Sequence, residues 1–360
     1  MKTKVTIRLG RVEDAPAIMR FMGEHWRKGH ILSLSRELLL HEFAEGNLLN
    51  FALAWRDDRL VGLFGFIRYN QRPVPDLAGS LWKVIASEKT PLLGIRLRRF
   101  VMDNVPHRFF AAPGAGPQTR PIYQIIGLEW KTMDHWFMLN PERNPEHCRL
   151  IRFERFPEKI GVDDPLPSPA EWSIQELVSA NELGRFPFSR YHHVLPYKDE
   201  SYVRHRFFRH PIYRYRVWHL QHGDHQALFI TRMARHEDAA ALRVVDFYGD
   251  ESCLPLLGIA LRRQLVESGA EYADFIASGL NTGKMEQAGF TLLDLDQTHT
   301  IVPNYFEPFE QKNVPIHCVH DPVPEGFQFR MFRADGDQDR PSELRIQEDD
   351  RMNAPKHALP

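Results

Sequence analysis

PLLGIRLRRFV, running from Pro91 to Val101, returns as PLLGIALRRQLV from Pro255 to Val266, 164 positions later (255 minus 91). The surroundings keep that offset: Trp55 and Trp218 are 163 apart, Gly127 and Gly289 are 162 apart, and Asn140 and Asn304 are 164 apart. Solenoid repeats run to about 20–50 residues, so a period this long marks a duplicated domain. The chain of 360 residues has room for two domains of ordinary size, each with its own core.

Composition narrows the function classes. Lys and Arg number 46 against 47 Asp and Glu, for a net charge of −1. No basic field exists to hold a phosphate backbone, so nucleic acid is not an expected partner. The opening MKTKVTIRLG alternates polar and apolar residues, which reads as a strand and not a signal peptide. No run of about 18 apolar residues occurs, so no membrane association is expected. Cys148, Cys253 and Cys318 are too few and too scattered for a disulfide framework. A cytoplasmic location is the expectation.

Along the first half the sequence reads strand VTIRLG, helices PAIMRFMGEHW and SRELLLHEFAE, then the apolar runs NFALAW and LVGLFGFIRY. Arg56-Asp57-Asp58-Arg59 joins these runs as a hairpin signal. Strand GSLWKVIAS, helix LGIRLRRFVMDN, strand RFFAAPG, short helix RPIYQIIG and closing strand DHWFML follow. Pro157, Pro165, Pro167 and Pro169 mark 157–171 as a linker between domains 1–156 and 172–340, and the polar tail 341–360 reads as disordered. The second half replays the order, with a hairpin around QHGDH, strand ALRVVDFYG, helix LGIALRRQLVESG, strand EYADFIASG, helix GKMEQAGF and a closing strand HTIVPNYF.

This order of strand, glycine-bearing helix start, second strand and short helix ending in glycine plus an apolar residue resembles the GNAT acyltransferase fold, over roughly residues 3–140 and 172–306. The resemblance implies an α/β (α+β) architecture of two tandem GNAT-like domains. Each would be a mixed twisted sheet with a splayed central strand, flanked by helices. It also implies acyl-CoA in the gap, its pyrophosphate on the amides that open the following helix. Such amides lack partners inside the helix, the dipole favours an anion, and glycine lets a phosphate approach. The family pattern Gln/Arg-x-x-Gly-x-Gly/Ala corresponds here to Pro91 through Arg96 and Pro255 through Ala260; both lack the leading residue and only the second ends small. The implied CoA contacts are Val84, Ile85, Leu93, Gly94, Ile95 and Arg96 in the first copy and Gly258 and Ala260 in the second, with the oxyanion taken by a backbone amide near Val84 or Ile85.

Members of that family often use a tyrosine four residues before the last glycine as the general acid for the departing thiolate. A phenol suits this, with an ordinary pKa of about 10. That position is Tyr123 in the first copy and Met285, which has no proton to give, in the second. Tyr123 and the guanidinium of Arg96 favour the first copy as the CoA site; the glycine–alanine pair favours the second. In the favoured arrangement the second copy shapes the acceptor pocket. His135, in MDHWFML, is a candidate general base toward the acceptor amine, the alternative being a strand histidine facing solvent or the domain interface.

The phrases LRVVDFYGDE, AEYADF, IVPNYFEPFEQKNV and DGDQDRP resemble a narrower group, tandem GNAT sugar N-acyltransferases of bacterial surface-polysaccharide (O-antigen) biosynthesis. One type moves a 3-hydroxybutyryl group onto dTDP-3-amino-3,6-dideoxygalactose. The group implies acyl-CoA (3-hydroxybutyryl or acetyl) as donor and a dTDP-linked amino sugar as acceptor, with homodimerisation left open. Candidate acceptor contacts are Asp246, Tyr248, Tyr305, Glu307, Asp335 and Asp337. Two other enzyme-like or ligand-binding readings stand beside it: a GNAT-like binding protein without catalysis, which the degenerate motifs favour, and an aminoacyl-tRNA-dependent transferase of the peptidoglycan type, which a basic surface would favour.

Metal readings are weaker. Asp335, Asp337 and Asp339 alternate as calcium ligands do, but the sixth position is Arg340 instead of the turn glycine and the twelfth is Ile346 instead of glutamate. His317, Cys318 and His320, or His222 and His225, lack a second cluster at zinc spacing. No metal is expected.

Overall fold

A computed structural model describes residues 4–154, 172–297 and 299–342. The expected linker 157–171 and most of the expected tail lie outside the described residues. The first half supplies strands β1 (Thr6–Arg11), β2 (Ala44–Glu45), β3 (Leu48–Arg56), β4 (Arg59–Arg68), β5 (Asp76–Val84), β6 (Phe109–Pro113), β7 (Glu129–Thr132), β8 (Asp134–Leu139) and β9 (Arg152–Phe153). The second supplies β10 (Trp172–Leu177), β11 (Val194–Leu195), β12 (Arg216–His222), β13 (His225–His236), β14 (Ala239–Gly249), β15 (Tyr272–Ser278) and β16 (Thr291–Leu292). Six short strands close the chain: β17 (Thr300–Ile301), β18 (Tyr305–Phe306), β19 (Phe309–Glu310), β20 (His317–His320), β21 (Gln328–Phe329) and β22 (Met331–Phe332). The helices are α1 (Ala15–Phe21), α2 (Ile31–Leu34), α3 (Arg36–Phe43), α4 (Leu93–Asn104), α5 (Arg120–Ile125), α6 (Glu200–Val203), α7 (Leu254–Ser268) and α8 (Thr282–Gln287). Among the described residues no helix is long and apolar enough to cross a membrane.

The duplication is visible in the sheets. One runs β1-β3-β4-β5-β6 and the other β10-β12-β13-β14-β15, each mixed and each carrying its repeated helix, α4 or α7, between the fourth and fifth strands of that order. Helix α4 buries Leu93, Leu97 and Val101, spaced by four, against its sheet. Strand β14 is buried at all eleven positions, as a strand covered on both faces requires. In each half the parallel pair is short: β5 meets β6 only from Asp76↔Phe109 to Ala78↔Ala111, and β14 meets β15 only from Leu242↔Ala273 to Val244↔Phe275. Beyond those registers the two strands of each pair part and leave a gap.

The closing strands depart from expectation. DHWFML, expected to finish the first sheet, is β8 and pairs antiparallel with β15 of the second, from Tyr272↔Leu139 to Ala277↔Asp134. In exchange, β20 from the C-terminal end lies between β6 and β7 in the first sheet. HTIVPNYF does not close a sheet; its pieces become β17, paired with β9, and β18, paired with β19. Alternation identified these segments as strands but does not say which edge they join. Strand β8 is apolar on both faces, with Trp136 and Met138 in one cluster and Phe137 and Leu139 in another. It therefore needs an interior position, which the second sheet supplies between β15 and β16.

Shared cores tie the halves together. Tyr69 and Ala78 of the first half pack with Tyr191, Tyr202, Tyr248 and Ala334, while Phe109 and Ala111 pack with Leu195, Ile276, Phe329 and Met331. Residues 1–154 expressed alone should therefore be insoluble, lacking β20 and exposing the apolar faces of β8. Co-expression with residues 155–360 should restore a soluble one-to-one complex on gel filtration, and a cooperative, soluble 1–154 fragment would contradict the exchange.

Candidate functional site

The first gap opens between β5 and β6 under the start of α4. Residue Leu92 caps that helix in the left-handed region, at φ 55°, without a side-chain cap, and is 69% exposed. No acceptor among the described residues meets the Leu93, Gly94 or Ile95 amides; Arg96 is exposed and Leu93 buried. The Ile85 amide donates to the Val61 carbonyl at 3.0 Å, so it is not free for an oxyanion. Because an antiparallel ladder alternates its bonds, the Val84 amide, in register with Gly62, turns to the opposite edge and into the gap.

Trp82, on β5, links this gap to the helix start. Its indole Nε1 donates to the Gly94 carbonyl at 3.0 Å, and its ring meets Tyr123 edge-on at 5.6 Å. Tyr123 sits on α5 at 5% exposure; burial pushes its phenol up to about 12, with Arg98 pulling the other way. It is thus protonated at neutral pH. Trp82 was not foreseen as a site residue; the available signal was a single large aromatic, with a polar tip, on the strand before the motif.

In the second gap the protein itself takes up part of the parted edges, and a cavity of about 670 Å³ lies at its mouth, between Gly249, Glu251, Gly279 and Asn281. Strand β22 pairs with Ala277 and Ser278 of β15, and the Ala334 amide donates to the Val245 carbonyl of β14 at 2.9 Å. Ahead of α7, Asp250 caps a 3-10 turn (Glu251–Cys253) through the Ser252 amide and hydroxyl and also binds His225 Nδ1. Gly258 packs against the end of α8, where an added Cβ would lie 2.0 Å from the Ala288 carbonyl oxygen. Ala260 is buried. At Gly94, by contrast, the nearest atoms an added Cβ would meet are those of the Trp82 indole, from 3.1 Å. The same glycine motif faces backbone in one half and a side chain in the other.

The expected acceptor residues fall into two groups. Asp246 and Tyr248 are buried on β14, and Asp246 and Asp335 flank the fully buried Lys198 ammonium at 2.6 and 2.7 Å. Burial pulls Lys198 down, but the two carboxylates outweigh it and hold it above its usual value; burial drives Asp335 up, only partly offset by Lys198. Asp335 Oδ1 meets Lys198 as an ion pair and not as an aligned hydrogen bond, while Oδ2 accepts the Phe332 amide at 2.7 Å. Tyr305, Glu307 and Asp337, in contrast, line one small cavity with Arg232, Arg243, Arg333 and Arg340. Asp337 is also within 3.4 Å of Ser80 Oγ on β5, which places that cavity beside the first gap. The three alternating aspartates diverge, Asp335 to Lys198, Asp337 to Ser80 and Arg340, and Asp339 to Arg232 in a bidentate pair.

His135 lies in the second sheet, not near the first gap. It is 2% exposed, neither ring nitrogen has a hydrogen-bond partner among the described residues, and burial foremost pulls its pKa down to about 4. It is a neutral, buried histidine on a strand that is carried across to β15, which differs from the solvent-facing strand histidine the sequence also allowed.

Two substitution sets follow from this geometry. Gly258→Ala forces a Cβ against the Ala288 backbone and should destabilise the protein by about 1–3 kcal/mol or more, whereas Gly94→Ala, against a side chain that can shift, should cost less than about 1 kcal/mol; thermal unfolding compares them. Asp246→Asn and Asp335→Asn should each be mild, because the remaining carboxylate neutralises Lys198. The double variant leaves that ammonium buried and unpaired and should lose about 3–5 kcal/mol. Additive losses in chemical denaturation would contradict this.

No protein-family model matches the chain, and no curated protein matches it. Solved structures do. A GCN5-related N-acetyltransferase from Anabaena variabilis superposes with a TM-score of 0.56 at 10% identity, covering 89% of this chain and 73% of that one. One from Kribbella flavida gives 0.51 at 11%, covering 89% and 71%. A conserved Enterococcus faecalis protein of unknown function, described as a probable N-acyltransferase, gives 0.51 at 9%, covering 89% and 73%. At such identity the likeness is one of fold: the chain adopts the two-domain α/β architecture of GCN5-related N-acetyltransferases.

Proposed function

We propose that the protein is an acyl-CoA-dependent N-acyltransferase that uses its first half for the donor and acylates the amine of a nucleotide-linked deoxyamino sugar. The observation that carries this reading is the contrast between the gaps. In the first half the parted strands, the uncapped start of α4 and the Tyr123 phenol converge, while in the second half β22 pairs with the parted edge of β15 and Met285 replaces the tyrosine.

Four groups divide the chemistry. The Leu93, Gly94 and Ile95 amides at the start of α4 receive the donor pyrophosphate, with Arg96 beside them. The acceptor amine attacks the thioester carbonyl directly, since an oriented, deprotonated amine is a competent nucleophile and no covalent enzyme intermediate is needed. The Val84 amide faces the developing oxyanion. Tyr123 gives its proton to the departing sulfur. The second half, with β22 along its gap and Met285 in place of the tyrosine, acts as a wall of the acceptor site.

A thiol-release assay with acetyl-CoA and 3-hydroxybutyryl-CoA, against a panel of nucleotide-linked amino sugars, tests the reading. Tyr123→Phe should lower kcat about 10²-fold with little change in KM for the donor. The sign of the pH dependence follows from burial. Tyr123 must be protonated to act and its pKa is raised to about 12, so the rate should climb as the acceptor amine loses its proton and show no descending limb below about pH 10. A steep alkaline fall in kcat, or full activity in Tyr123→Phe, would remove the tyrosine from the mechanism. Absence of thiol release with every pair, despite CoA binding, would leave the non-catalytic binding reading.

A further inference from the structure

The cavity beside the first gap has a volume of about 60 Å³, room for on the order of two waters. Four guanidiniums line it. Three have a carboxylate within 2.9 Å: Arg232 pairs with Asp339, Arg243 with Asp274, and Arg340 with Glu42. Arg333 is different. It is 4% exposed, its Nη2 donates to the Asn304 carbonyl at 2.6 Å, its Nε lies 3.7 Å from Asp339, and neither Nε nor Nη1 has a hydrogen-bond partner among the described residues. The same Asn304 carbonyl accepts from Arg243 at 3.2 Å, so the two guanidiniums stand side by side over one oxygen. Burial foremost, with Arg243 next, lowers the Arg333 pKa to about 10, so the side chain is still charged at neutral pH. A buried cation with unmet donors is costly, and a planar guanidinium meets it best with an oxyanion. Glu307 faces the cavity too, held by the Tyr213 hydroxyl at 3.2 Å and the Ser342 amide at 3.0 Å. Its field opposes an anion there.

We propose that this cavity is an oxyanion site in which Arg333, beside Arg243, binds a phosphate of the acyl acceptor. Placement favours this source. Asp337 joins the cavity to Ser80 on β5, so a phosphate on Arg333 leaves the rest of the acceptor directed at the first gap. On the other side, Tyr213, Arg232, Phe306 and Glu307 also line a groove of about 840 Å³, large enough for the remainder of a nucleotide. Naming the ligand as the acceptor rests on the acyl-transfer reading; the oxyanion site itself does not.

Calorimetric titration of the full chain with inorganic pyrophosphate, thymidine diphosphate and CoA tests it without any turnover. Pyrophosphate and thymidine diphosphate should bind saturably, Arg333→Gln should weaken both at least about tenfold, and Arg333→Lys should recover part of the loss. Glu307→Gln should tighten both, a change that a purely structural Arg333 would not produce. Should Arg333→Gln fail to fold, Ser342→Asp, which adds a carboxylate to the cavity wall, should abolish diphosphate binding while leaving CoA binding intact. No saturable diphosphate binding to the wild type overturns the proposal, as does equal loss of CoA and diphosphate affinity in the variants, which would place the donor here instead. Thiol release that persists without diphosphate binding would sink this inference alone. Diphosphate binding without thiol release would sink only the transferase reading.

Discussion

Each sheet is completed by a strand from the other half, and this exchange constrains everything else in the molecule. With β8 fixed to β15 and β20 fixed between β6 and β7, the halves cannot separate without opening both sheets. Two hydrophobic clusters drawn from both halves are buried by the same arrangement. The exchange also dictates a path. Strand β20 ends in the first sheet at His320 and β22 begins in the second at Met331, so the chain must cross the interface between them. The residues that follow then lie where both gaps can be reached.

Charge is buried along that crossing in a patterned way. Asp335, Asp337 and Asp339 point to different partners, and the outer two meet cations inside the protein, Lys198 and Arg232. Desolvating such pairs consumes much of their attraction, so they add little net stability over apolar packing. Their effect is on register. Moving the segment by one residue would strand Arg232 without its carboxylate and leave Lys198 with Asp246 alone, and a buried unpaired charge is far more costly than a lost apolar contact. The turn Gly336–Gln338 is held against Pro113 and Gly114 by the same register, since an added Cβ at either glycine would strike the facing chain.

Much of this architecture was legible before the structure. The offset between Pro91 and Pro255 identified the duplication, and local alternation and turn residues located the main strands and helices. What local pattern does not contain is partnership between distant segments. The apolar alternation of β8 reads identically whether it closes its own sheet or the other one. Gly94 and Gly258 stand in nearly the same phrase, and what separates them is the Ala288 carbonyl, thirty residues from the second and absent from any motif. The candidate residues divided on the same ground. Tyr305, Glu307 and Asp337 share a cavity; Asp246 and Asp335 are taken by Lys198, whose position after β11 carries no sequence signal of its own. Trp82 and Arg333 were missed for that reason too: an indole on a strand and an arginine near the end of the chain gain meaning only from the contacts they make, or lack, once the halves are joined.

The two gaps present one physical problem and receive two solutions. When parallel strands part, the backbone groups along their facing edges lose ladder partners, and buried N–H and C=O groups must find others. In the second half the chain supplies them: β22 pairs with β15, and Ala334 donates to Val245 of β14. In the first half β5 carries on to Val84 with its amide toward the open side, and α4 begins with amides that no described residue accepts. The duplicated fold thus gains more than a spare site. The segment that pairs with β15 in the second half runs on into the wall of the cavity beside the first gap.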